Sequence, residues 1–170
     1  MRVLDLMSSW KSYIPDKLAL KELVGIGLNR QELRLNRLLT DYRVHDLNQN
    51  PSLPFADNHF DAVICNVSME YLTNPFAVFD EVARILSPKG YFVLTFSNRW
   101  FPPKVIRIWQ ELHEFERVGL VLEYFLRSAK FNDLHTYSVR GLPRPVNDKY
   151  YPQIKRADPV FAAWGRKKEY

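Results

Sequence analysis

Phe60-Asp61-Ala62-Val63-Ile64-Cys65-Asn66-Val67 reads as the clearest strand in the chain, dense in β-formers and nearly free of charge. That pattern fits a strand covered on both faces. On its C-terminal side, Asn74-Pro75 opens a helix that runs to Leu86, with Phe76, Val78, Phe79, Val82 and Leu86 as an apolar stripe at roughly helical spacing. Ser87-Pro88-Lys89-Gly90 ends the helix, and Tyr91-Phe92-Val93-Leu94-Thr95-Phe96 follows as another buried strand. On its N-terminal side lie a brief strand, Arg43-Val44-His45-Asp46-Leu47, and the polar turn cluster Asn48-Gln49-Asn50-Pro51-Ser52. Before these, Leu23 to Leu28 reads as a strand, and Asn29 is placed to cap a helix beginning Arg30-Gln31-Glu32-Leu33. Pro15 and Asp16 are expected to start a short helix carrying Leu18, Leu20 and Leu23.

The chain opens on Val3-Leu4-Asp5-Leu6-Met7-Ser8-Ser9-Trp10, a short buried strand ending in a polar turn. From Met1 to Phe96 the order is therefore strand, helix, strand, helix, strand, strand, helix, strand. Such alternation predicts an α/β protein with a mostly parallel sheet. In open sheets of this kind ligands sit beyond the carboxyl ends of the central strands, so the turn at Ser8 and Ser9 is a candidate cofactor site. The same eight residues also fit an ordinary core strand with a surface turn. Beyond Pro103 the pattern is helical in two pieces, with Val105, Ile108, Trp109 and Leu112 on one face and Leu120, Val121, Tyr124 and Phe125 on another. Leu134 to Val139 and Pro159 to Trp164 read as two last strands, forming an antiparallel addition at the sheet edge.

A chain of 170 residues suits one domain, residues 1–170. The apolar stretches fall short of the ~20 residues of a membrane span, and the N-terminus has no signal-peptide pattern. A soluble, cytoplasmic protein is expected. The single cysteine, Cys65, cannot form an internal disulfide and reads as core rather than nucleophile. The net charge of +5 is mild, and its clusters Lys155-Arg156 and Arg166-Lys167-Lys168 read as a solvated tail. A nucleic-acid protein would show a continuous basic stripe with interleaved aromatics, so such a partner is not expected.

One series stands at characteristic intervals: Leu53-Pro54-Phe55, Phe60-Asp61-Ala62-Val63, Tyr71-Leu72, Pro75, Glu81-Val82-Ala83-Arg84-Ile85-Leu86 and Pro88-Lys89-Gly90. This series resembles the class I S-adenosylmethionine-dependent methyltransferases, within them the branch called methyltransferase type 11. The resemblance implies a Rossmann-like three-layer α/β/α sandwich. Its sheet would be seven-stranded and mostly parallel with an antiparallel edge strand, in the order 3-2-1-4-5-7-6. It further implies S-adenosylmethionine as cofactor and a small-molecule methyl acceptor, with no metal.

The resemblance also assigns positions. Asp5 falls on the acidic residue of the family's first motif, with Met7, Ser8 and Ser9 in the turn that is usually glycine-rich. Gly27 stands where a carboxylate usually holds the ribose hydroxyls, and Asn29, two residues on, serves either as a helix cap alone or also as a ribose contact. Asp46 falls on the residue that binds the adenine amino group, and Leu47 on the one that packs against the ring. Asn66 and Val67 would line the methionine end. Ser68 and Tyr71 are candidates for the acceptor pocket, and also read as surface or core residues.

Because a non-glycine residue in the left-handed region costs roughly 1 to 2 kcal/mol, Met7-Ser8-Ser9 is expected to take a path unlike a glycine turn. Family members usually carry further residues before the first strand, so a truncated or minimal version is expected here. In-line transfer from a sulfonium needs no obligatory base, since positioning supplies much of the acceleration. His45, His59, His113 and His135 sit in no motif that identifies one, and no catalytic residue is named. The rival expectation is a non-catalytic methyltransferase-like binding or scaffold protein, favoured by the lost glycines and the missing second-strand acid. An RNA methyltransferase ranks last.

Overall fold

The computed structural model describes residues 1–169. Among them, seven strands form one sheet in the order β3-β2-β1-β4-β5-β7-β6. The strands are β1 (Arg2–Leu6), β2 (Glu22–Gly27), β3 (Asp41–Val44), β4 (Phe60–Asn66), β5 (Leu86–Ser97), β6 (Phe131–Val139) and β7 (Val160–Lys167). β1 pairs in parallel with β2 and β4, β2 with β3, and β4 with β5. β7 runs antiparallel to both β5 and β6, so the reversed strand lies one in from the edge that β6 closes.

Period-two alternation splits the apolar side chains between the two faces. Leu4 and Leu6 of β1, Val24 and Ile26 of β2, and Val63 and Cys65 of β4 face the main core. Val3, Leu23 and Ala62 face the other side, covered by Ile14 and Leu39. The main core is closed by α2 (Pro75–Ile85) and α4 (Glu114–Ser128). Phe79 of α2 meets Phe92, Tyr124, Phe125 and Phe131 at ring separations of 4.9 to 6.3 Å, mostly edge to face, which adds specificity to the area buried. Of the expected helical stripe, Phe76 and Ile108 are instead exposed, while Trp109 is buried in α3 (Arg107–Glu111).

The Leu-Pro-Phe and Glu-x-x-Arg segments serve one clamp. Arg84 of α2 donates to the carbonyls of Leu53 and Phe55, each at 2.8 Å, and to the carboxylates of Glu81 and Asp57. Leu53 N–H donates back to Glu81 at 2.7 Å. The connection after β3 is thereby fixed against the helix before β5.

The structure corrects several expectations. No helix forms at Pro15: residues 15–20 make turns, and Leu18 and Leu20 are exposed. Leu23 belongs instead to β2, where it is buried, so the segment before it has no apolar face for a helix to bury. The third strand is Asp41–Val44, ending before His45. Ser87 to Gly90 do not stand between helix and strand: β5 begins at Leu86, with a bulge between the Phe60–Leu86 and Ala62–Tyr91 pairs and Lys89 at φ 63°. β6 starts three residues earlier than expected, at Phe131, and β7 runs on to Lys167.

Candidate functional site

A cavity of about 1070 Å³ opens beyond the carboxyl ends of β1, β2, β3 and β4. Strand order reverses direction between β1 and β4, the point in an open α/β sheet where the connections diverge and leave a crevice. The volume is ample for a nucleoside-sized group and a second small molecule.

The turn after β1 is its floor. Asp5 is buried and accepts hydrogen bonds from Ser8 Oγ at 2.7 Å and Ser12 Oγ at 2.5 Å. Burial pushes its carboxyl up, and the Ser12 and Ser8 hydroxyls pull it back down. Asn36, at the end of α1 (Arg30–Leu35), donates its Nδ2 to Ser9 O and Ser12 Oγ, both at 3.0 Å. Ser9 Oγ donates to Glu32 at 2.5 Å. A polar network from α1 thus holds the turn. The expectation of a path unlike a glycine turn was argued from the cost of the left-handed region, yet Met7 adopts φ 58° and bears that cost. The network, together with Ser8 N–H donating to Ile26 O at 2.8 Å, holds a conformation that Met7 alone disfavours.

Gly27 explains why the second-strand acid is missing. A Cβ at Gly27 would lie 2.3 Å from the Ser8 carbonyl oxygen, so the turn and β2 approach too closely for any side chain. Beyond it, Asn29 caps α1, its Oδ1 accepting from Gln31 N–H at 2.9 Å and Glu32 N–H at 3.3 Å. Its Nδ2 donates to Glu32 at 3.0 Å, so both ends of the amide are used locally.

On the β3 side, Asp46 Oδ1 accepts from Asn48 N–H at 2.9 Å, and Leu47 packs its side chain into the core. On the β4 side, Asn66 Oδ1 accepts from Thr95 Oγ1 at 2.8 Å while its buried Nδ2 donates to nothing. Val67 takes φ 48°, an outlier for a β-branched residue, and the chain reverses through Ser68 into a 3₁₀ turn, Met69–Tyr71. Tyr71 Oη accepts Phe101 N–H at 3.0 Å, bringing Phe101 and Lys104 to the far rim.

Asp5, Met7, Ser8, Ser9, Gly27, Asn29, Asp46, Leu47, Asn66, Val67, Ser68 and Tyr71 therefore all line this one cavity. Sequence reasoning missed Glu32 as a lining carboxylate, along with Lys11, Tyr13, Phe101 and Lys104. It also missed Glu70, buried behind Tyr71 with neither carboxyl oxygen hydrogen-bonded and its pKa pushed up to about 7 by burial. For Glu32, the acid three residues after an N-capping Asn was the available signal.

The donor set suits a cationic nucleoside. Carboxylates Asp46 and Glu32 stand at one end and the orphaned Asn66 Nδ2 donor at the other, able to meet an acceptor atom that the protein itself does not supply.

Residues 13–94 match the family model described as a methyltransferase domain. The chain is 33% identical over 79 residues to the biotin biosynthesis bifunctional protein BioHC of Teredinibacter turnerae, covering 46% of this chain and 14% of that protein. It is 45% identical over 51 residues to the ubiquinone/menaquinone biosynthesis C-methyltransferase UbiE of Chromobacterium violaceum, covering 29% of this chain and 21% of that one. The matches thus span about a fifth or less of these relatives' lengths. Among solved structures, a chain of the complex between the Haloferax volcanii Trm112 methyltransferase activator and a methyltransferase superposes with TM-score 0.71 at 18% identity, over 99% of this chain and 82% of that chain. The [4+2]-cyclase SpnF superposes with TM-score 0.65 at 19% identity, over 99% and 76%. At these identities the likeness is one of fold.

Proposed function

We propose, given that the chain carries a class I S-adenosylmethionine-dependent methyltransferase domain of type 11, that its cavity binds this cofactor and passes the methyl group to a small-molecule acceptor. The observation that carries the proposal is the reach of one cavity from Asp46 to Asn66, across the carboxyl ends of β3, β2, β1 and β4. We place residues 1–170 in a single such domain, working in the cytoplasm; the lone cysteine is buried and unpaired, and no described helix is long and apolar enough to cross a membrane.

The geometry supports the following assignment of roles. Asp46 accepts from the adenine amino group through the oxygen that Asn48 leaves free, and Leu47 supports the ring. Gly27 supplies only close backbone passage, so Glu32 takes over the ribose hydroxyls, with Asn29 holding its carboxylate. Ser8, Ser9 and the Met7 turn face the chain between ribose and methionine, and Asp5 anchors that turn. Asn66 Nδ2 and the Val67 backbone orient the methionine end. When bound, the cofactor supplies a methyl group on a sulfonium that is already a good leaving group. The protein then has to orient the acceptor against Ser68 and Tyr71 and exclude water, and orientation alone is worth effective molarities up to about 10⁵ to 10⁸ M.

Calorimetric titration with S-adenosylmethionine and S-adenosylhomocysteine, on the wild type and on Asp46→Ala, tests this. Binding by the wild type and at least about tenfold weaker binding by the variant are expected, as for one hydrogen bond to a charged group. No binding to the wild type overturns the function; equal binding overturns the adenine contact.

A further inference from the structure

The connection between β6 and β7 is folded, yet it shows solvent side chains that a fold normally hides. Ala157 N–H donates to Leu142 O at 2.8 Å and Arg144 N–H to Lys155 O at 2.9 Å, with Pro143 and Arg156 bridged between them. Residues 142–144 and 155–157 thus form a short antiparallel hairpin. Arg144 is its hub. Only 5% exposed, it donates to Arg156 O at 3.1 Å, to Asp148 at 3.3 Å and to Asp158 at 3.1 Å. Asp158 also pairs with Arg99 at 3.0 Å, which ties the hairpin to the chain leaving β5.

Both carboxylates of this connection are thereby spent on Arg144. Lys149, Lys155 and Arg156 are exposed, and none of them pairs with a carboxylate of the described residues. Beside them Leu142, Val146 and Ile154 are 55%, 77% and 44% exposed. Single exposed aliphatics are ordinary, but here three share one hairpin with three uncompensated cations. A shallow groove of about 420 Å³ brings the two kinds together, since Pro143, Val146, Tyr151, Lys155 and Arg156 line it around Arg144.

Exposed apolar and basic side chains in one place suit a surface that lies against an anionic bilayer. The cations meet headgroup phosphates while the aliphatics enter the acyl boundary. Nucleic acid would use the cations but leave the three aliphatics in water. The rings that could stack on bases are also occupied: Lys155 lies over Tyr151 at 4.0 Å, and Lys149 and Arg99 lie over Tyr150 at 4.7 and 4.9 Å. We propose that the hairpin between β6 and β7 docks the protein on an anionic phospholipid bilayer. Lys149, Lys155 and Arg156 hold the phosphates, and Leu142, Val146 and Ile154 enter the acyl boundary. β7 starts opposite Ser97, at the carboxyl end of β5, so the hairpin leaves the sheet at the end where the cavity opens. Docking turns that end toward the bilayer, whether or not the cavity holds a cofactor.

Co-sedimentation of the full chain with vesicles tests this, using phosphatidylcholine alone and with about 30% phosphatidylglycerol, at low salt and at about 0.5 M. Binding to the anionic vesicles alone, weakened at the higher salt, is expected. Lys149→Gln with Lys155→Gln is expected to weaken it about twentyfold, from about fivefold per charge. Leu142→Ser with Val146→Ser is expected to weaken it about tenfold. Lys17→Gln with Lys21→Gln removes the same charge from the segment leading into β2, and is expected to leave binding within about twofold. All six side chains are exposed, so each variant is expected to melt with the wild type, as circular dichroism would report. Absence of binding to the anionic vesicles overturns the proposal. Equal weakening by the Lys17 and Lys21 pair also overturns it, because the attraction would then belong to the overall charge of +5. Pelleting that needs no lipid would assign the patch to a second copy of the chain, and preference for a single-stranded RNA oligonucleotide would assign it to nucleic acid; either result overturns the bilayer.

Discussion

At the scale of single residues, Glu70 ties the site to stability. Burial lifts its pKa from 4.5 in the unfolded chain to about 7 in the folded one. Between those values the folded protein holds a proton that the unfolded chain has released, so stability falls as pH rises through the window. The full effect is about 3 kcal/mol, present below pH 4.5 and lost above 7. Glu70→Gln, neutral at every pH, removes that loss. Urea midpoints of the wild type and Glu70→Gln are expected to agree near pH 4 and to separate toward pH 8, the variant being the more stable by about 2 to 3 kcal/mol. Parallel pH profiles would mean that Glu70 ionises as freely folded as unfolded. None of this was legible in the sequence, where Met69-Glu70-Tyr71 carries no period and an acid in such a stretch normally faces water.

At the scale of elements, the turn between β1 and β2 is where sequence and structure part. The apolar strands were legible because their burial on two faces leaves an unbroken run of β-formers, as in Phe60–Asn66. The Asn29 and Asn74 caps were legible because their hydrogen bonds stay within three residues. The turn was not, because its partners lie far away: Asn36 reaches Ser12 across 24 residues and Glu32 reaches Ser9 across 23. These contacts hold Met7 at φ 58°, where a Cβ costs roughly 1 to 2 kcal/mol. The strain can be separated from the loss of the side chain by comparing Met7→Gly with Met7→Ala, which remove the same packing. Glycine is expected to be the more stable by about 1 kcal/mol, a melting difference of about 2 to 4 °C, reversing the order at ordinary positions. If alanine is the more stable, the turn relaxes out of the left-handed region in solution.

At the scale of the whole molecule, the sheet divides into two ends with different duties. At one end the carboxyl ends of four parallel strands open on a single cavity. At the other side the antiparallel β7 and the exposed edge strand β6 close the sheet without reaching that cavity. The parallel half carries the cavity, and the β6–β7 half completes the core through Phe131, Phe161 and Ala163. A ligand that binds only the folded state stabilises it by about 2.7 kcal/mol at a hundredfold excess over its Kd, which for a chain of this length raises the melting temperature by about 5 to 10 °C. S-adenosylhomocysteine at that excess is expected to produce this shift. Amide exchange should slow most in residues 7–13, 27–32, 45–48 and 66–71, where the backbone lines or flanks the cavity, beyond the general slowing that the added stability gives to every strand. Slowing confined to β6 and β7 would place the ligand on the wrong half of the sheet. A uniform rise over all strands, with no excess at those four segments, would remove the evidence that the ligand sits in this cavity.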